Sequence, residues 1–164
     1  MKQLAVVLAL LLAVSGCAPL PAVPDGYPGP TARVSDSREY ENGGKAAFFV
    51  LAAINGRPIE TSLEASRRAS YGKGFSLSAQ YIERQVPAES MRVKLIGTHQ
   101  TVAPIHEIFS RLGGHFQSVE GVVDFKPASN GNYIVKGELN SSGSAVWIEN
   151  RDTGERVTEK VISK

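Results

Sequence analysis

Hydrophobic and polar side chains alternate through most of the C-terminal third of the chain. Val119, Gly121, Val123 and Phe125 alternate with Glu120, Val122 and Asp124, and Tyr133, Val135 and Leu139 alternate with Lys136 and Glu138. Ala145, Val146, Trp147 and Ile148 form a short apolar run, and Val157 and Val161 bracket Glu159. A period of two is the pattern of a strand with one buried face. Asn130-Gly131, Asn140-Ser141-Ser142-Gly143 and Asp152-Thr153-Gly154 separate these runs with turn-forming residues. Strands joined so tightly pair antiparallel, so the pattern predicts a meander.

Upstream, residues 46–54 are apolar throughout, with Phe48, Phe49, Val50 and Leu51 at the centre. This predicts a strand covered on both faces. Asn55-Gly56 is a hairpin signal, and Pro58 confines the next segment to an edge. Met91, Val93 and Leu95 alternate with Arg92 and Lys94, and Phe75, Leu77 and Ala79 alternate with serines, predicting two further strands. Helical spacing occurs twice. Pro104 precedes Ile105, Ile108, Phe109 and Leu112, with Gly113-Gly114 as a stop. Thr61 and Glu64 have capping-box spacing ahead of residues 62–71, where the apolar stripe is poor enough that a short helix and a loop both remain open.

About seven short strands with one or two short helices predict a mainly β antiparallel sandwich. In strand pattern the C-terminal part resembles the immunoglobulin- or transthyretin-like modules of bacterial surface lipoproteins. That likeness has no diagnostic motif and supplies no functional residues.

The N-terminus has a different organisation. Lys2 is followed by residues 4–14, which carry no polar side chain, then by Ser15, Gly16 and Cys17. The apolar run suits a secretory signal and falls short of the roughly 20 residues that span a bilayer. Val14-Ser15-Gly16-Cys17 resembles the lipobox of bacterial lipoproteins, with valine where leucine is commoner. The resemblance covers only about the first 17 residues. It implies cleavage after Gly16, diacylglycerol on the Cys17 thiol and a further acyl chain on its amine. Ala18, rather than aspartate, then implies transfer to the outer membrane, more readily on the periplasmic face than at the cell surface. Cys17 is the sole cysteine, so an internal disulfide is impossible.

Three segments follow: a signal peptide over residues 1–16, a lipidated cysteine with a proline-rich linker over 17–30, and a folded domain over 31–164. Prolines 19, 21, 24, 28 and 30 predict an extended spacer reaching on the order of 40 Å, at about 3.1 Å per residue. The remaining domain is long enough for one core. The whole chain carries a formal charge of +2, and loss of Lys2 with the leader leaves +1. Such a balanced surface, in which Arg67-Arg68 and Arg92/Lys94 are the main basic pairs, is not a nucleic-acid footprint.

Candidate chemistry is sparse. Asp152-Thr153-Gly154 has the letters of an aspartic-protease turn, but that reaction needs two aspartates sharing a proton and the motif occurs once. His99, His106 and His115 have no metal-ligand spacing. Gly74-Phe75-Ser76-Leu77-Ser78 lacks the closing glycine of a nucleophile elbow, and Gly72-Lys73-Gly74 lacks the third glycine of a dinucleotide loop. Nothing marks any two of Glu83, Glu89, Glu107, Glu120 and Glu138 as a catalytic pair. Trp147 shares one strand face with Ala145 and Glu149; we read it as core, although an outward Trp147 would mark a partner-binding patch.

The expectation is a non-catalytic binding or structural lipoprotein, without cofactor or metal, held to the membrane by its N-terminal lipid and contacting another envelope protein. A small-ligand or glycan-binding module, with Tyr71, Tyr81 and Trp147 stacking on a sugar, is the alternative. A hydrolase, or an inhibitor of cell-wall lytic enzymes, ranks below both.

Overall fold

The computed structural model describes residues 20–42, 45–74, 76–101 and 117–163. Cys17 and the expected helix over 104–112 lie outside these residues. The fold is mainly β: two mostly antiparallel sheets and one short helix form a sandwich. The strands are β1 (Thr31–Ser35), β2 (Ser37–Asn42), β3 (Lys45–Ile54), β4 (Arg57–Pro58), β5 (Glu83–Pro87), β6 (Met91–Thr101), β7 (Ser118–Phe125), β8 (Asn132–Asn140), β9 (Gly143–Asn150) and β10 (Val161–Ser163), with helix α1 (Ser62–Ser70) after β4. The first sheet runs β10-β9-β8-β1-β5, and the second runs β2-β3-β6-β7 with β4 also on β3.

The strand β3 forms as its composition demands. Ala47, Phe49 and Leu51 enter the core between the sheets, whereas Ala46, Phe48 and Val50 join a second cluster on the outside with Leu63 of α1. Asn55 (φ 49) and Gly56 (φ 79) make the hairpin to β4, matching a turn with two left-handed residues. The helical alternative holds over α1: the Thr61 side chain accepts from Glu64 N at 3.1 Å.

Three expectations need correction. The C-terminal meander contains β8, β9 and β10 only. Strand β7 pairs with β6 in the other sheet, and the chain crosses between sheets before Tyr133, whose ring meets Phe125 edge-on at 5.2 Å. The sandwich is mostly antiparallel as expected, with one parallel pairing, between β1 and β8. Leu77 and Ala79 lie in no strand; Gln80 N and Ser78 N donate to the Ser66 and Ser70 hydroxyls of α1, leaving those N–H groups engaged by the helix. The proline-rich spacer folds back: Tyr27 N donates to Pro24 O around Gly26 (φ 72), Leu20 bridges to Ile59, and Ala22 is buried in the core.

The Phe49 ring packs between sheets where β8 supplies Gly137 and β6 supplies Gly97. A Cβ at Gly137 would collide with that ring and with the Ala145 carbonyl oxygen, so the glycine admits the aromatic side chain. Gly137→Ala is expected to lower the urea midpoint by the equivalent of about 1–3 kcal/mol, the usual cost of overpacking.

Candidate functional site

The sequence-derived candidates do not converge. Among the described residues no group of three His, Cys, Asp or Glu could hold a metal ion. His99 is buried in β6, its Nδ1 accepting from Gln117 N at 3.1 Å, while His106, Glu107 and His115 lie outside the described residues. Asp152 and Thr153 donate their N–H groups to Asn150 Oδ1 in an exposed turn. Lys73 Nζ donates to Ser78 Oγ in the connection after α1. Three glutamates have separate basic neighbours: Glu83 meets Arg151 at 3.5 Å, Glu120 meets Lys94 at 3.1 Å, and Glu138 meets Lys160 at 3.3 Å. Glu89 is exposed, and with desolvation, the larger cause, it holds the Tyr27 phenol above its ordinary range.

The most elaborate polar constellation is one that sequence reasoning missed. Asp36, fully buried, lies where the chain leaves β1 in the first sheet and enters β2 in the second. Arg84 of β5 grips its carboxylate bidentately, Nη1 to Oδ1 at 2.8 Å and Nη2 to Oδ2 at 2.7 Å. Oδ2 also accepts from Ser62 N at 2.8 Å and Ser62 Oγ at 2.7 Å, and Oδ1 accepts from Leu51 N at 3.1 Å.

Local structure requires each of these bonds. Strands β2 and β4 share one edge of β3, the last opposed residues being Phe49 and Ala53. Leu51 falls in the gap, so its N–H has no ladder partner there, and Asp36 supplies one. Ser62 opens α1, where backbone N–H groups lack intrahelical acceptors. The one available signal was Arg84, which shares the inward face of β5 with Val86: an inward arginine demands a buried anion. Asp36 is sealed from solvent, and its bonds hold β5, β3 and α1 together.

The outer face of the first sheet has a different character. Trp147 points outward, half-buried, because Val146 and Ile148 face the core; the core assignment of Trp147 is thereby corrected. Its Nε1 donates to Glu149 Oε1 at 2.7 Å, and Lys160 Nζ sits 4.2 Å from the ring centroid. Ile162, 66% exposed, lies opposite Ala145, and Lys136 opposite Trp147. The result is a rigid aromatic plane with a cation against it and an exposed aliphatic neighbour, a composition suited to docking. Tyr71 is 91% exposed at the end of α1, on the opposite side of the sandwich, so Tyr71 and Trp147 cannot stack on one sugar. Tyr81 receives a hydrogen bond from Arg151.

No protein family, curated protein or solved structure matches the chain. Among the described residues, no helix is long and apolar enough to cross a membrane.

Removing one member of the Asp36–Arg84 pair strands a buried charge. Asp36→Ala is expected to destabilise by about 3–5 kcal/mol. The double variant Asp36→Ala/Arg84→Met should recover part of that loss in equilibrium urea unfolding, and a strictly additive loss would deny the coupling.

Proposed function

We propose that this chain is a lipid-anchored envelope protein whose sandwich is a non-catalytic binding module. The outward Trp147 carries this reading: it places the largest side chain in the chain where it packs against no core. Around it, Lys160, Lys136, Glu149 and Ile162 combine charge of both signs with apolar area, the mixture found at the edges of protein contacts. A preformed, hydrogen-bonded tryptophan loses little rotamer entropy when a partner covers it.

The anchoring half rests on Lys2, the apolar residues 4–14 and the run Val14-Ser15-Gly16-Cys17. One acyl chain binds a membrane marginally, at about 0.8 kcal/mol per buried methylene, while two or more hold it stably. An acylated Cys17 would therefore make the domain a permanent resident of a membrane, the outer membrane if Ala18 acts as the lipobox resemblance implies. The partner is then another envelope protein. Glycan or small-ligand binding, and inhibition of a lytic enzyme, are the competing readings.

Mass spectrometry of the protein from its host should find residues 1–16 removed and Cys17 acylated; an unmodified thiol would overturn the anchoring. For the binding face, Trp147→Ala should weaken capture of a defined envelope partner by about 30-fold or more, the effect of an interface hot spot, with an unchanged urea midpoint. Because Trp147 is the sole tryptophan, partner binding should also shift the intrinsic fluorescence. Unaltered capture by Trp147→Ala would place the interface elsewhere.

A further inference from the structure

We infer that the edge of the sandwich formed by β4 and β5 rests on the surface of the lipid bilayer, so that the β10 edge, next to Trp147, faces away from it. This inference builds on the anchored reading above and adds what that reading lacks, an orientation.

The argument starts from residues 20–22. Leu20 makes a parallel bridge with Ile59, and Ala22 is buried in the sandwich core. Leu20, Pro21 and Ala22 share one shallow cleft with Ile59, Glu60, Ile82 and Arg84. Ile59 directly follows β4 in the second sheet, whereas Ile82 and Arg84 belong to the approach and body of β5 in the first. The segment therefore seals the mouth between the two sheets at one edge, beside the buried Arg84–Asp36 pair.

Chain length does the rest. Only Ala18 and Pro19 separate Cys17 from Leu20. Three Cα steps reach at most about 11 Å, and the headgroup layer on one side of a bilayer is itself about 5–8 Å deep. With Leu20 docked, an acylated Cys17 leaves no room for the domain to stand clear of the membrane. The edge carrying Leu20 must meet the headgroups. Its exposed side chains suit that contact: Leu20 is 49% and Tyr81 53% exposed, an aliphatic group and an amphipathic ring of the kind that settles at a membrane interface.

Sheet order sets what faces away. Strands β5 and β10 are the two edges of the first sheet, with β1, β8 and β9 between them. Four strand spacings of about 4.8 Å separate them by roughly 19 Å. Trp147 on β9 and Ile162 on β10 therefore lie toward the end remote from the anchor, open to a partner in the aqueous space.

The sole native thiol would be blocked by its lipid, so introduced cysteines can be labelled singly. The mature acylated protein, beginning at Cys17, would be reconstituted in phosphatidylcholine vesicles containing a spin-labelled lipid quencher, with a fluorophore at Tyr81→Cys, Gln85→Cys or Ile162→Cys. Quenching is expected to be several-fold stronger at positions 81 and 85 than at 162, and Leu20→Asp should abolish that difference without releasing the protein from vesicles. Equal quenching at all three positions in vesicle-bound, acylated protein would overturn the orientation while leaving the anchoring intact. A difference that survives Leu20→Asp would overturn the role of the docked segment. A bare Cys17 thiol with no vesicle binding would instead remove the anchored reading and the orientation together.

Discussion

The buried ion pair between Asp36 and Arg84 organises this fold. A carboxylate with no solvent contact is tolerable only when its oxygens are filled by donors. Here those donors come from β5, from the edge of β3 and from the first residue of α1. One side chain thus ties the first sheet to the second at the point where the chain crosses between them. It also places the helix, since Ser62 must bring its N–H and hydroxyl to the same oxygen. The carboxylate further fills the gap that β2 and β4 leave on β3. Hydrophobic burial supplies the larger energy, at about 1.5–3 kcal/mol for each Val, Leu, Ile or Phe fully enclosed. Burial alone does not specify how two sheets are linked; a bidentate, multiply bonded carboxylate does.

The two outer faces of the sandwich differ as a consequence. Helix α1 and residues 77–79 cover part of the second sheet, burying Ala46, Phe48 and Val50. On the first sheet Trp147 remains half-buried and Ile162 exposed. The covered face is closed by α1, and the open one is the face we propose for binding. The docked residues 20–22 add a third direction, since they join the chain's N-terminal end to the edge where Arg84 lies. The docked N-terminal segment, the Asp36–Arg84 clamp and the open Trp147 face, to which we propose anchoring and binding roles, are thus arranged across one small domain.

Much of the local structure was legible. The unbroken apolar run of β3 signalled cover on both sides, and both arrived: the sandwich core on one face, Leu63 with residues 77–79 on the other. Asn55-Gly56 and the Thr61–Glu64 cap acted as their chemistry dictates. Other elements were hidden for physical reasons. Arg33, Val34, Ser35, Asp36, Ser37 and Arg38 show no clean alternation, because β1 and β2 exchange hydrophobic signal for the polar residues around the crossover. Leu77 and Ala79 alternate like a strand yet lie in none, with the intervening and following N–H groups taken by α1 serines. For Trp147 the strand offered two faces, one with Ala145 and Glu149 and one with Val146 and Ile148, and alternation alone does not say which of them the other sheet covers.

Features that depend on neighbours along the chain could be read from the residues alone: strand periodicity, turn positions, the helix cap, and the leader-like run ending at Cys17. Which sheet β7 joins, which face of β9 meets the core, and where Asp36 finds its cation emerge only in the folded molecule. Those choices are made by contacts between residues far apart in sequence; Asp36 and Arg84 are 48 positions apart. Periodicity says that a strand has two unlike faces, but which of them is buried depends on what the rest of the chain brings against it.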